Sequence, residues 1–240
     1  MKKGRKCFVA FVNKEFMEVL LSMKFIIFLS IITSNMIQFM TDNEVVKQMK
    51  DYDSNIISIQ MGSMLIYLVV IVIMFVGHTL INRFIYEERK NKTIQVMLAH
   101  GMDIMQIWSA KMLVTVIVTQ VTCWLTILSH IIFVKLYFNI NITFNLTSGI
   151  LTFITLPILC YAVLALVSIC YWYFENMNIF SMIFPIISYL GIWNISMQLV
   201  KVFLPKYLIV ISVALGILLF ALSAFAIKRI KKEKIVIRGA

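Results

Sequence analysis

Residues 83–111 read RFIYEERKNKTIQVMLAHGMDIMQIWSAK, a charged and polar stretch from Arg83 to Lys111 that separates two long apolar runs. Outward from it the chain turns oily: 61% of its 240 residues are hydrophobic and 14% charged, and mean hydropathy is +0.94. A soluble core has no use for that much apolar surface. A membrane helix needs about 20 consecutive apolar residues. Six stretches come near that length: Lys24–Met40, Met61–Ile81, Ile104–Val134, Ile150–Phe174, Ile179–Val200 and Tyr207–Ile227. Barrel strands would be shorter and would alternate apolar with polar residues. These runs are apolar all round, so the reading is an all-α integral membrane protein, a single transmembrane domain over residues 1–240 with six transmembrane helices.

Lys and Arg are retained on the cytoplasmic side of short loops. They cluster at Lys2, Lys3, Arg5, Lys6 and Lys14, at Arg83, Arg89, Lys90 and Lys92, and at Lys228, Arg229, Lys231, Lys232, Lys234 and Arg238. With six spans all three clusters fall on one side, which places both termini in the cytoplasm of a multi-pass plasma-membrane protein. The first loop, around Asp42, Glu44, Asp51 and Asp53, falls outside. The net charge of +11 is explained by this topology and by anionic lipid headgroups of the bilayer, not by nucleic acid, since no soluble fold displays it. Before the first span, Phe8, Val12, Phe16, Val19 and Leu20 recur at helical spacing opposite Asn13, Lys14 and Glu18. That pattern predicts a helix lying in the cytoplasmic interface, where Lys14, Glu15 and Glu18 stay out of hydrocarbon.

Enzyme signatures are missing. The chain has no GxSxG, no HExxH, no Rossmann glycine fingerprint and no GxxxxGK[ST]. Cys7, Cys123, Cys160 and Cys170 form no CxxC pair, and His78, His100 and His130 have no metal-ligand partner at sequence spacing. The reading is therefore no catalytic, cofactor or metal residue. An intramembrane enzyme and a non-transporting membrane anchor are the alternatives from other classes.

Within Arg83–Lys111, Ile94, Met97 and Leu98 share one helical face, Glu87 and Glu88 precede them, and Arg89, Lys90, Asn91 and Gln95 occupy the rest. A short amphipathic helix with acids near its N-terminus is predicted. His100-Gly101 ends it, and Asp103 with Gln106 gives a capping-box-like start for the third span. This sequence of helix, tight turn and helix resembles the first cytoplasmic loop of ABC-2 type permeases. The shared features are Glu87, Glu88, Thr93, Met97-Leu98, the turn at Gly101 and Lys111 opening the next span. Lys92 stands where that family commonly has Gly, and Gly101 where it commonly has Pro.

The resemblance implies a permease homodimer or heterodimer, each copy bound to a separate ABC ATP-binding subunit. ATP and Mg would sit on that subunit and none on this chain. Glu87, Glu88, Thr93, Met97, Leu98 and Gly101 would then transmit force from the ATPase as a coupling helix between the second and third spans. Polar residues inside spans mark a possible pathway: Thr119 and Gln120 in the third, Asn194 and Gln198 in the fifth. Small permeases of this kind resemble those of bacteriocin, lantibiotic and other modified-peptide systems in Gram-positive bacteria. The implied cargo is a small, possibly antimicrobial peptide, for secretion or self-immunity. Drugs, sodium or polysaccharide are the alternatives on the same scaffold.

Overall fold

The computed structural model describes residues 2–173 and 205–230. The fifth apolar run, with Asn194 and Gln198, lies outside the described residues. The regular structure is helical: α1 (Lys2–Ser22), α2 (Lys24–Gln48), α3 (Ser54–Ile81), α4 (Glu88–Lys90), α5 (Thr93–Ala99), α6 (Ile104–Phe138), α7 (Leu146–Ile150), α8 (Leu156–Tyr173) and α9 (Pro205–Lys228). Two π-helical segments, Asn82–Glu87 and Leu151–Thr155, join α3 to α4 and α7 to α8. The second lies just ahead of Pro157, whose missing N–H interrupts the α-helical hydrogen-bond ladder and favours a local change of register. Thr155 reflects that change, its hydroxyl donating to the Ile150 carbonyl five residues back at 3.0 Å.

Among the described residues five helices are long and apolar enough to cross a membrane: Lys24–Gln48, Ser54–Lys90, Ile104–Phe138, Leu146–Tyr173 and Ile209–Lys228. Four of the five expected runs in this part are longer as helices than as apolar stretches. The first does not stop at Met40 but continues through Asp42 and Glu44, which the sequence reading puts in a loop. The second starts at Ser54, capped by Asp53 whose carboxylate accepts from the Asn55 amide at 3.4 Å, and runs on to Lys90.

Side chains are distributed inside out. α2 turns Phe25, Phe28, Met36 and Met40 outward, and its buried residues are Ser30, Ser34, Gln38, Asp42 and Val45. α6 likewise exposes Leu113, Val121, Leu125 and Leu128 while burying Thr115, Thr119, Thr122, Thr126 and His130. Apolar side chains face outward without penalty only where the surroundings are apolar, so this arrangement suits a bilayer. α3 is the centre, buried on nearly every side from Leu65 to Ile81. α2, α6 and α8 pack around it, and α9 lies against α8, where Gly216 lets the backbones approach. A Cβ there would stand 3.0 Å from Ile158 Cγ2.

α1 packs Val12, Phe16 and Val19 of the expected apolar face against the core, but the face is shifted. Phe11, Glu15 and Val19 are its buried residues, and Leu20 is exposed. The helix packs against α6, so Glu15 points into protein instead of sharing a polar face with Lys14 and Glu18.

At the far end of the bundle, α6 stops at Asn139, which adopts the left-handed conformation with φ 57°. The following loop folds over α3. Ser58 donates its hydroxyl to the Asn141 carbonyl and meets the Thr143 hydroxyl at 2.8 Å. Gly62 makes the approach feasible, since a Cβ there would stand 2.1 Å from the Thr143 carbonyl oxygen. Gly62→Ala is expected to lower stability by about 2 kcal/mol through overpacking against backbone. Thermal unfolding of the purified chain in detergent measures it.

Candidate functional site

The charged segment forms a compact structure at one end of the bundle. The extension of α3 ends at Asn91, whose amide donates to the Glu87 carbonyl at 2.8 Å. Lys92 then turns the chain with φ 61°, a conformation that disfavours any residue with a Cβ. This strain gives a physical reason for the Gly common at this position in the resembling permeases. α5 begins at Thr93, so Glu87 and Glu88 sit at the end of the preceding helix and not in the first turn of the amphipathic one. The dipole argument for them fails; Glu88 is placed by its ion pair with Lys111, and Glu87 is exposed.

α5 turns Ile94 and Leu98 into the core and leaves Val96 55% exposed. It ends in a Schellman arrangement: the Gly101 amide donates to the Leu98 carbonyl at 3.1 Å and the Met102 amide to Met97 at 3.2 Å. Gly101 takes φ 86°, as the expected turn requires. Asp103 and Gln106 then form the anticipated capping box, with the Asp103 amide donating to Gln106 Oε1 at 3.2 Å.

Three ionic contacts fasten this segment to the spans. Lys111 Nζ donates to Glu88 Oε1 at 2.7 Å and to Glu15 Oε2 at 3.1 Å. Lys111 and Glu15 are each 1% exposed at the side chain and Glu88 16%. The Phe11 and Phe84 rings flank the ammonium at 5.5 and 5.0 Å, within cation–π range. Arg83 pairs with Glu18 at 3.7 Å across a more exposed surface. Arg89 donates from one guanidinium nitrogen to the Tyr171 and Trp172 carbonyls at 2.9 and 3.0 Å. It thereby ties the segment to the last described turn of α8. One loop is thus tied to α1, α6 and α8.

Glu87, Glu88, Thr93 and Met97 of the expected coupling set come together along one open cleft of ≈ 170 Å³, with Lys14, Glu18, Arg83 and Asn91 completing its lining. Leu98 faces the core and Gly101 serves the turn. Of the expected pathway residues, Gln120 accepts from the Tyr161 hydroxyl at 2.7 Å, an α6–α8 link. Thr119 is fully buried and its hydroxyl meets no hydrogen-bond partner.

Two groups escape a residue-by-residue reading of the sequence. Glu15 is one. The other is a buried set on α2 and α6, in which His130 Nε2 lies 2.7 Å from Asp42 Oδ2 and Gln38 donates to Asp42 Oδ1 at 3.1 Å. The available signal was polar residues at every fourth position, Ser30, Ser34, Gln38 and Asp42, inside an otherwise apolar helix. Lys111 and His130 are nineteen residues apart on α6, about 28 Å at helical rise. That matches the roughly 30 Å of bilayer hydrocarbon, so the two ionic clusters sit one hydrocarbon thickness apart.

Lys111→Met is expected to destabilise by about 3–5 kcal/mol, because it strands a buried carboxylate. Adding Glu15→Gln should recover a large part, and a double-mutant cycle of thermal unfolding reads the coupling. Lys92→Gly should leave the fold intact and raise the unfolding temperature by relieving about 1 kcal/mol of left-handed strain. No family model, curated protein or solved structure matches the chain.

Proposed function

We propose that the chain is the permease subunit of an ATP-driven ABC exporter of the ABC-2 type, with no enzymatic activity of its own. ATP is hydrolysed on a separate ABC subunit that docks on α5 and its flanking turns. The observation that carries this reading is the fastening of a short surface loop to three long helices through Lys111, Glu88, Glu15 and Arg89. A push on α5 cannot be absorbed locally, because the same residues pass it to α1, α6 and α8. Rigid-body coupling of remote sites requires a stiff connection of this kind.

On this reading the α5 end of the bundle faces the cytoplasm, both termini lie there, and two permease copies assemble in the plasma membrane of a Gram-positive bacterium. The apolar run Ile179–Val200 brings the expected spans to six on this reading. The cargo assignment, a small peptide moved for secretion or self-immunity, rests on the likeness to small peptide-system permeases alone.

Side chains free to touch a partner are the exposed ones, so Glu87 and Val96 serve as probes, whereas Leu98 belongs to the core. The experiment is affinity purification of the tagged permease from its native host, followed by assay of bound ATPase. Glu87→Lys with Val96→Glu is expected to reduce the co-purified ATPase at least about tenfold, the effect of roughly 1.4 kcal/mol at an interface, with unfolding temperature unchanged. A wild-type permease that purifies stably without any ATPase overturns the proposal.

A further inference from the structure

α2 is joined to α6 by the packing of Phe39 on Phe133, Tyr137 and Phe138 and by a row of polar contacts, and the buried residues of α2 are polar except Val45. The best-connected part of this seam surrounds His130, which is fully buried. Asn35 Nδ2 donates to the Ile31 carbonyl at 2.8 Å and to Ser129 Oγ at 2.9 Å. A carbonyl only accepts, which places the amide nitrogen on that side and leaves Asn35 Oδ1 facing His130 Nδ1 at 3.2 Å. The other ring nitrogen, Nε2, faces the Asp42 carboxylate at 2.7 Å. Both imidazole nitrogens therefore face acceptors. A neutral ring carries one N–H and would leave one contact as lone pair against lone pair. Only the imidazolium donates to both.

Asp42 accepts from Gln38 on one oxygen and meets His130 Nε2 on the other, so one added proton shared by the pair satisfies every one of these contacts. Among the described residues no other charged side chain bonds to the pair. α3 approaches this part of α6 through Ile57 and Met61, which pack with Val134, and its stretch from Ser54 to Ile66 has no titratable residue. Glu44 and Lys135, the nearest charges along α2 and α6, are exposed.

We propose that Asp42 and His130, supported by Asn35 and Gln38, form a proton-binding site that controls the docking of α2 on α6. A proton from water adds to the free ring nitrogen of neutral His130, giving the imidazolium beside the Asp42 carboxylate. Its release returns the proton to water and leaves a buried carboxylate facing a neutral ring. The protonated pair favours the docked seam, and loss of the proton weakens it. Phe39 of α2, packed against Phe133, Tyr137 and Phe138 of α6, keeps the helices in contact once that bond is lost, so the proton tightens the seam and does not alone create it. The site lies at the end of the bundle away from Lys111, and the inference does not depend on an ATPase partner.

The test is nitrogen NMR of the full chain in lipid nanodiscs with ¹⁵N-labelled histidine rings. His130→Gln identifies the His130 signals, and exposed His100 serves as an internal reference. The expected result is a His130 ring protonated on both nitrogens at about pH 7, with Asp42→Asn abolishing that state. Since Asp42→Asn could disturb folding, the wild-type spectrum decides by itself. A neutral His130 tautomer at about pH 7, or titration together with His100, overturns the site.

Discussion

One ammonium group, buried between two carboxylates, organises the charged end of this molecule. Lys111 stands in the first turns of α6, and its partners come from α1 and from the extension of α3. Taking such charges out of water is unfavourable unless the geometry satisfies them. The arrangement therefore specifies position more than it adds stability. α1 has one register on α6 that brings Glu15 to Lys111, and the loop after α3 has one that brings Glu88 there. Arg89 extends the constraint to α8 by holding the carbonyls of Tyr171 and Trp172. The short helix α5 is then carried on a frame shared by α1, α6 and α8.

Between the two ionic clusters, the bundle is joined by groups that an apolar solvent makes selective. Where the surroundings are as apolar as the side chains, burying Leu or Ile brings little driving force, and hydrogen bonds and close backbone approach decide which helices meet. This explains why α2 turns its Ser, Gln and Asp residues inward and its Phe and Met residues outward. It also explains the glycine contacts, with Gly62 under the Thr143 carbonyl and Gly216 against Ile158. Trp108 donating to Ser168 at 2.7 Å and Tyr171 meeting His78 at 2.9 Å add further ties of α8 to α6 and α3.

The parts of the charged segment that obey local rules were legible in the sequence. The Gly101 turn, the Asp103–Gln106 capping box and the inward face of Ile94 and Leu98 each depend on residues within five positions of one another. The placement of Glu88 was not, because propensity and dipole arguments treat an acid as solvent-facing, as Glu87 indeed is. Glu88 instead finds a cation twenty-three residues away. Likewise Asp42 read as a loop residue, since a carboxylate in hydrocarbon is disfavoured until its partner is known, and that partner, His130, lies eighty-eight residues on.

By itself the sequence determined the class and the spacing of this protein: long apolar runs that suit helices in lipid, and one charged segment between the second and third of them. Those follow from composition and periodicity, which act over a few turns of chain. Only the tertiary structure decided which polar residues are satisfied and by whom. It turned Glu15 inward, lengthened α2 past Asp42, gave His130 two acceptors and left Thr119 without a hydrogen-bond partner. The physical reason is that a buried charge is acceptable or prohibitive according to its neighbours in space, and periodicity along one helix does not identify those neighbours.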